Sequence, residues 1–251
     1  MSHPSYNGRI GEPFIELFTI DSTNNYAMAR AHEGLAKHGA TWFAHHQTAG
    51  KGQRNKSWAT EAGQNITMSC VMEPGGPNIT RPFLLVAATA LACYDFFNDY
   101  CKGDVSIKWP NDIYWRDRKA GGILIENIYR ANEWQFAVAG MGLNINQESF
   151  PAHLPNPVSL KQVTGRHYEL IALAKELCER LTHRYAQFAS NNPVLMEDYN
   201  HVLYKLDETV RLKKDNIVFQ TTIQGVTALG QLITQDAIER QFEFGEVEWL
   251  L

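Results

Sequence analysis

Near residue 206 the chain changes character, and this change limits the folds that it can adopt. Before that point, strand-like runs such as residues 14–20 and 66–72 alternate with helix-like runs such as residues 83–97. After it, short β-branched and aromatic runs follow one another, separated by turn residues. We therefore predict an α/β part followed by a small β barrel or sandwich, with the boundary between Tyr199 and Leu206.

Periodicity predicts the individual elements. Apolar residues recur at steps of three and four from Leu170 to Phe188, which predicts a strongly amphipathic helix. Ser22, Thr23 and Asn24 stand between a strand-like run and several helix formers, and such residues typically cap the N-terminus of a helix. Further strands are predicted at residues 41–44, 105–109, 122–128, 136–139, 210–212, 217–226, 232–233 and 242–249.

Composition excludes several classes of protein. With 44% hydrophobic and 20% charged residues among 251, the chain can bury a sizeable core. The net charge of −4 argues against an obligatory nucleic-acid partner, because phosphate binding needs a clustered basic face. The four cysteines show no pairing motif, which predicts free thiols in a reducing cytoplasm. Residues 1–7 lack a secretory signal, and the most apolar stretch, residues 83–94, is too short to cross a membrane.

A basic segment with two glycines, residues 47–58, follows a predicted strand. Gly50 and Gly52 allow backbone amides to approach an anion, and Lys51, Arg54 and a further lysine add positive charge. The segment therefore suits a phosphate or a carboxylate, although it is not a Walker A motif. The alternative is a solvated basic hairpin that binds nothing.

Two further segments combine lysine with turn-forming residues. In the Lys-Trp-Pro-Asn-Asp of residues 108–112, Asp112 is a candidate Mg²⁺ ligand, because nucleotide sites hold Mg²⁺ with one or two carboxylates and with phosphate oxygens. The alternative is that this segment only ends a strand with a turn. Lys119 stands before the pair Gly121-Gly122, which precedes a predicted strand and would let a ligand lie against bare backbone. A solvated loop is the alternative there.

Residues 140–146, Gly-Met-Gly-Leu-Asn-Ile-Asn, resemble a dinucleotide fingerprint only superficially, since the third glycine is missing and no helix pattern follows. Asn144 could bond to an adenine edge, or it could simply form a turn.

The pair His45-His46 lacks the spacing of metal ligands, because adjacent strand residues point to opposite faces. The chemistry indicated is the handling of anions by lysine and metal, without a covalent nucleophile.

In order and spacing these segments resemble the motifs of biotin protein ligases, enzymes that adenylate biotin and transfer it to a lysine of a carrier protein. The resemblance covers most of the chain. The family's Ser-Thr-Asn, glycine–arginine loop ending in Trp, KWPND, KxxGIL and GxGxN motifs correspond to residues 22–24, 50–58, 108–112, 119–124 and 140–144. The residues before the first motif leave no room for the DNA-binding helix-turn-helix that some members carry, so we expect the short form without DNA binding.

The resemblance implies an α/β (α+β) catalytic domain with a central mixed sheet over residues 1–203. A small SH3-like all-β domain is implied over residues 204–251. It further implies ATP, Mg²⁺ and biotin as small molecules, biotinyl-5′-AMP as intermediate, and a biotin carboxyl carrier protein or domain as partner. A homodimer is compatible with it.

The same resemblance assigns roles to residues. Lys119, Asp112 and Lys51 are the implied catalytic residues; Lys119 would bridge the biotin carboxylate and the α-phosphate, and Asp112 would hold Mg²⁺ through ATP. The residues implied to bind biotin are Ser22, Thr23, Asn24, Gln47, Lys51, Gly52, Gln53, Lys119 and Gly121. The residues implied to bind the nucleotide are Lys51, Arg54, Trp58, Lys108, Asn111 and Asn144.

The loop departs from the family pattern at three positions. Lys51 and Gln53 stand where a well-known form has arginines, and Asn55 stands where glycine is usual. Lysine keeps the charge but loses the bidentate fork of arginine, whereas glutamine loses the charge.

Three alternatives to a biotin protein ligase remain: a lipoate or octanoate ligase or transferase of related fold, a non-catalytic adenylate-binding or carrier-docking protein, and a tail that binds peptides as an SH3-like module.

Overall fold

A computed structural model of the chain describes residues 8–74 and 81–250; the polar start at residues 1–7 lies outside the described residues. The main element is a mixed sheet of seven strands, β1 (Phe14–Ile20), β2 (Thr41–Gln47), β3 (Ile66–Met72), β4 (Val105–Lys108), β5 (Asp112–Trp115), β6 (Arg118–Arg130) and β7 (Glu133–Leu143). They lie in the order β1-β2-β3-β7-β6-β5-β4. The first two run parallel and the other neighbours antiparallel, which confirms the predicted central mixed sheet.

Helices cover both faces of this sheet. They are α1 (Thr23–His32), α2 (Pro82–Cys101), α3 (Leu160–Thr164), α4 (Leu170–Ala189) and α5 (Val194–His201). The main core lies on the side of α2 and α4, where large side chains such as Phe96 and Met68 are fully buried. On the opposite face Ala27 and Ala31 of α1 pack beside Trp42 in a smaller cluster. Small residues four apart let this helix approach the sheet closely.

A second sheet follows. Its strands are β8 (Thr209–Lys214), β9 (Ile217–Val226), β10 (Leu232–Gln235), β11 (Glu239–Phe242) and β12 (Glu248–Trp249), in the antiparallel order β11-β10-β9-β8-β12. Asp215 and Asn216 join β8 to β9 with positive φ angles of 49° and 66°, as a tight hairpin requires. The predicted small all-β unit is confirmed.

The two sheets are joined through backbone and core. Ile107 in β4 donates its N–H to the carbonyl of Val202 at 2.8 Å, and its own carbonyl accepts from Tyr204 at 2.9 Å. Leu212 and Ile223 of the second sheet belong to the same buried cluster as α2 and α4. The second sheet is therefore packed against the first, and a division at residue 203 stays a prediction.

Most predicted elements are confirmed, and one prediction was wrong in a way that matters for the site. The strand predicted to begin at Gly122 begins at Arg118, so Lys119 lies within β6. The reason is the β5–β6 hairpin, in which Trp115 pairs with Arg118 and Tyr114 with Lys119. The N–H of Lys119 also donates to the Asn156 carbonyl at 2.8 Å. Two consecutive cations before a glycine pair are typical of a loop, and the partner strand β5 was not predicted because it is only four residues long and begins at Asp112.

All four cysteines are free thiols. Burial raises the pKa of the Cys178 thiol to about 12, so this side chain stays protonated and packs as a small apolar residue. Among residues 8–74 and 81–250, no helix is long and apolar enough to span a membrane.

Candidate active site

Three glycines on one face of the large sheet form the base of the candidate site. Gly122 of β6 pairs with Gly142 of β7, and Gly140 lies two residues further along β7 on the same side. A Cβ at Gly142 would lie 2.3 Å from the Trp58 ring, and one at Gly140 would lie 2.0 Å from Asn24 Oδ1. We call these three residues the glycine floor. Two side chains rest directly on its backbone.

Beside the glycine floor, Lys119 and Asp112 form an ion pair. Lys119 Nζ lies 2.7 Å from Asp112 Oδ1, and the two side chains are 29% and 28% exposed. Asp112 pairs across the sheet with Gly122, whose missing side chain leaves room for both groups at 3.3–3.4 Å from where a Cβ would stand. The ammonium group is thus partly desolvated, yet open to a ligand on the floor.

The cationic loop, residues 50–58, folds into a small hairpin over this face. Lys51 and Ser57 form an antiparallel bridge, and the N–H of Gly52 donates to the Lys56 carbonyl at 2.7 Å. The loop ends on the glycine floor with the Trp58 ring, whose centroid is 5.8 Å from Lys119 Nζ. The indole N–H is buried and finds no acceptor among the described residues. A buried donor without an acceptor is costly, and a ligand could supply the acceptor.

A polar cluster lies next to the Trp58 position on the same face. Gln47 Oε1 accepts from the backbone N–H of Thr23 at 2.7 Å and from its hydroxyl at 3.0 Å. Ser69 donates to the Thr23 hydroxyl at 2.7 Å or to Asn24 Oδ1 at 2.6 Å. Asn24 in turn donates to Glu126 at 2.9 Å. Hydroxyl and amide groups of this kind both donate and accept, so the cluster can bind a neutral polar ring.

Lys108 extends the positive charge of the site. It pairs with Asp112 across β4 and β5, and its Nζ lies 3.3 Å from the Tyr114 hydroxyl and 5.3 Å from the Trp249 ring centroid. Burial, the largest cause, and the nearby charge of Lys119 together lower its pKa to about 8, although Asp112 opposes the shift. Lys108 is therefore charged at neutral pH and loses its charge in mildly alkaline solution.

Three predicted site residues hold backbone in place. Ser22 caps α1 by accepting from the Asn25 N–H at 3.5 Å. The Asn111 side chain donates to the Ile123 carbonyl, and that of Asn144 donates to the Val158 carbonyl at 3.1 Å. All three predicted residues are at most 5% exposed. The structure gives both asparagines a scaffold role beside β6, and their contacts with a nucleotide stay predictions.

The remaining predicted residues lie further apart. Arg54 at the tip of the cationic loop points to the second sheet, where it donates to the Phe244 carbonyl at 3.1 Å. Lys51 lies close enough to Asp21 to contribute to the lowered pKa of that carboxyl, which a hydrogen bond from Asn25 mainly causes. The adjacent Gln53 lies in a short 3₁₀ turn. Their roles toward a ligand stay predictions.

Gly121 lies on the opposite face from the ion pair. A Cβ there would meet the Leu143 side chain at 2.5 Å on the core side of the sheet. Gly122 faces Lys119 and Asp112 instead. Adjacent strand residues alternate between faces, so only one glycine of the pair can be part of the floor.

Sequence reasoning missed three residues of the site. Ser69 and Glu126 belong to the polar cluster, and Phe244 contacts the cationic loop. Each lies in a strand or turn far along the chain from its partner. Glu126 ends the segment that starts at Lys119, but nothing in the sequence connects it with Asn24. The signal that could have found Ser69 is its position in an otherwise apolar strand, Ile-Thr-Met-Ser-Cys-Val-Met, on the same face as Thr67.

The close approach of Asn24 to Gly140 predicts that a side chain at this position lowers the stability of the fold. Gly140→Ala forces Asn24 to move, because the new Cβ would lie 2.0 Å from its Oδ1, and breaks the bonds of Asn24 with Ser69 and Glu126. We expect the free energy of unfolding to fall by about 1–3 kcal/mol, measured by urea denaturation. Gly52→Ala is the control, because its Cβ would lie no closer than 3.2 Å to a neighbour. An equal loss in both variants contradicts the expectation.

The fold and the site together define a class: an α/β protein that presents lysines and a glycine-rich face to an anion. Comparison with known proteins makes this specific. The profile of the Biotin/lipoate A/B protein ligase family matches residues 17–144. A biotin–[acetyl-CoA-carboxylase] ligase of Mycobacterium tuberculosis is 30% identical over 195 residues, which are 76% of this chain and 71% of that protein.

Two further similarities extend over nearly the whole chain. The bifunctional ligase/repressor BirA of Bacillus spizizenii is 28% identical over 240 residues, 92% of this chain and 72% of that protein. The structure of the biotin protein ligase of Aquifex aeolicus in complex with biotin and ATP superposes with a TM-score of 0.78 at 20% identity, covering 94% of this chain and 97% of that one. The similarity to the Aquifex aeolicus structure confirms the fold. The chain belongs to the biotin/lipoate A/B protein ligase family.

Proposed function

We propose that this protein is a biotin protein ligase, which activates biotin with ATP to biotinyl-5′-AMP and transfers the biotinyl group to a lysine of a carrier protein. The observation that carries the proposal is the Lys119–Asp112 pair at 2.7 Å beside the glycine floor, whose three residues have no side chains of their own. The ligase names of the relatives that span most of this chain support the same function.

The polar cluster suits the ring of biotin. A cyclic urea offers one carbonyl acceptor and two N–H donors but carries no charge. Gln47, Thr23 and Ser69 supply hydroxyl and amide groups that can exchange their mutual bonds for bonds to such a ring. Gly140 and Gly142 stand two residues apart on β7, about 7 Å, so the cluster and the ion pair are within reach of one small molecule.

Adenylation brings two anions together. An oxygen of the biotin carboxylate attacks the α-phosphorus of ATP. The bond between this phosphorus and the oxygen that bridges to the β-phosphate breaks, and pyrophosphate leaves. Mutual repulsion dominates this barrier, and fixed cations lower it most effectively. In this proposal Lys119 leaves Asp112 to bridge the carboxylate and the α-phosphate. Lys108 and the cationic loop, with Lys51, Arg54 and Trp58, hold the rest of the nucleotide.

Transfer then releases AMP. The amine of the carrier lysine attacks the acyl carbon of the anhydride, the bond to the phosphate oxygen breaks, and the amine loses a proton. Asp112, which can accept a hydrogen bond, is the nearby group that would orient the amine or take this proton. Since an acyl phosphate hydrolyses readily, the cationic loop would exclude water from it.

Mg²⁺ fits the residues present in one way. Among the described residues no group of three or more His, Cys, Asp or Glu side chains could hold a metal ion. Mg²⁺ in nucleotide sites needs only one or two carboxylates, because phosphates and water complete its shell. Asp112 would hold it, and the ion would neutralise charge on the phosphates.

The proposal is tested by the choice of acid. The protein is incubated with MgATP labelled in the α-phosphate and with biotin, lipoic acid or octanoic acid, and the labelled products are separated. We expect biotinyl-AMP and no adenylate of the other two acids. Lipoyl-AMP or octanoyl-AMP would assign the protein to the other branch of the family. Binding of MgATP and an acid without formation of any adenylate would show a non-catalytic protein.

The lowered pKa of Lys108 predicts a pH dependence. The charged form of this lysine prevails below about pH 8 and is lost above it. We therefore expect the KM for ATP to rise with pH above 8, by up to about tenfold per unit. Lys108→Arg keeps its charge throughout and should show a flat profile. Steady-state pyrophosphate release between pH 6.5 and 9.5 measures both proteins, and identical profiles contradict this role of Lys108.

A further inference from the structure

Two aromatic side chains contact the ammonium group of Lys108. Asp112 lies opposite this lysine across β4 and β5 but pairs with Lys119 at 2.7 Å, and among the described residues no carboxylate pairs with Lys108. Lys108 Nζ contacts instead the Tyr114 hydroxyl at 3.3 Å and the Trp249 ring, whose centroid is 5.3 Å away. A half-buried lysine usually has a carboxylate partner. Here an aromatic ring takes the place of that partner.

These two rings belong to an aromatic wall that consists of Tyr114, Tyr204 and Trp249. The ring centroids of Tyr114 and Tyr204 are 5.1 Å apart, and those of Tyr204 and Trp249 are 5.9 Å apart. Tyr204 donates its hydroxyl to Asp117 Oδ1 at 2.7 Å, and both tyrosines are at most 5% exposed. The aromatic wall therefore has little freedom to rearrange around Lys108.

Trp249 is the member of the aromatic wall that lies in the second sheet. It stands opposite Leu212 of β8, and the next residue, Leu250, donates its N–H to the Arg211 carbonyl at 3.0 Å. The Trp249 indole N–H is buried and finds no acceptor among the described residues. The side chain therefore makes its contacts with the ring itself, which is the part that a cation–π interaction uses.

A ring and a carboxylate hold an ammonium group in different ways. A carboxylate neutralises the charge, so a ligand must break the ion pair before it can bind that amine. An aromatic ring attracts the cation through its quadrupole and leaves the positive charge available. Since a free lysine side chain loses rotamer freedom when it binds an anion, a ring that fixes it beforehand lowers the cost of binding.

From these contacts we infer that Trp249 is a positioning residue: its ring holds the Lys108 ammonium group in place, without neutralising it, for the phosphates of the nucleotide. The second sheet thereby contributes to the electrostatics of a site that is built on the first. The inference rests on the proposed function for the identity of the anion. Because Lys108 would bind substrate and transition state alike, loss of the contact should raise the KM for ATP and leave kcat unchanged.

Fluorination of the Trp249 ring tests this inference with little change in its shape. Tryptophans that carry an increasing number of ring fluorine atoms are introduced at position 249 through a reassigned stop codon, since each fluorine weakens the attraction of a cation to the ring. We expect the KM for ATP to rise stepwise, to about three- to tenfold in the most fluorinated protein, at unchanged kcat. Steady-state pyrophosphate release measures both constants. Trp249→Phe, which retains a ring, should fall between the wild type and Trp249→Leu.

Trp115 provides a matched control with the same chemistry. The guanidinium carbon of Arg116 lies 4.5 Å from the centroid of its ring, and this arginine pairs with Asp104 on the surface. The same fluorinated tryptophans at position 115 should leave the KM for ATP and kcat at their wild-type values. A KM that does not depend on fluorination at position 249, or that rises equally at both positions, overturns the inference.

A spectroscopic measurement needs no activity and separates this inference from the proposed function. In ligand-free protein that is isotope-labelled at the lysine ε-carbons, the signal of Lys108 is the one that disappears in Lys108→Arg. We expect the Trp249 ring current to shift this signal upfield. Trp249→Leu should move it back and sharpen it, because the released side chain samples more rotamers.

A Lys108 signal that neither moves nor sharpens in Trp249→Leu overturns the inference, whatever the activity. If the signal responds as expected but the wild type releases no pyrophosphate from MgATP and biotin, the proposed function fails while the fixed position of Lys108 stands.

Discussion

Lys119→Ala should release pyrophosphate from MgATP and biotin about 10²–10³-fold more slowly than the wild type, the usual effect of losing one preorganised charge donor. The reason is geometric: Lys119 Nζ lies above the glycine floor with one carboxylate as its ion-pair partner among the described residues. Pre-steady-state pyrophosphate release measures the chemical step separately from later ones.

The fold should survive this substitution, since a partly exposed ion pair contributes only about 0–1 kcal/mol to stability. Lys161→Ala is the matched control. Lys161 is 28% exposed and pairs with Glu148 at 3.0 Å outside the site, much as Lys119 pairs with Asp112. The control should release pyrophosphate at the wild-type rate. Rapid release by Lys119→Ala refutes the assigned role.

The second large effect is expected for Asp112→Asn, which keeps the shape of the side chain and removes its charge. Asp112 lies between Lys119 and Lys108, so its loss leaves two ammonium groups facing each other without neutralisation. It also removes the one carboxylate that we assign to Mg²⁺. We expect adenylate formation to slow by about 10²-fold and to require a higher Mg²⁺ concentration for half-saturation.

Titration of Mg²⁺ at fixed ATP and biotin distinguishes the two contributions. Asp104→Asn is the control, because Asp104 pairs with Arg116 at 3.0 Å on the surface. It should leave both the rate and the Mg²⁺ requirement unchanged. A slow Asp112→Asn variant with a wild-type Mg²⁺ requirement would contradict the assignment of the metal to this carboxylate.

Local pattern was enough to predict much of the fold. The strands at residues 14–20 and 66–72 have the predicted bounds, because β-branched and apolar runs of this length stand between clear turn residues. The helix α4 follows from its apolar steps of three and four. The strand β5, by contrast, is four residues long and starts at Asp112, a residue type that usually marks a turn.

The site was predictable wherever a motif keeps its members close in sequence. Lys119 and Asp112 were predicted from two motifs, and the sheet register brings them together at 2.7 Å. The contact of Arg54 with Phe244 spans 190 residues and was not predictable, because it depends on how the second sheet packs beside β4. Composition and spacing do not determine contacts of that kind.

The most direct test of the account uses the acceptor. The protein is incubated with biotin, MgATP and a biotin carboxyl carrier domain, and the intact mass of that domain is measured, with Lys119→Ala in parallel. We predict that the wild type adds the mass of one biotinyl group to the carrier domain, and that the variant adds almost none in the same time. A carrier domain that stays unmodified with the wild type would contradict the account.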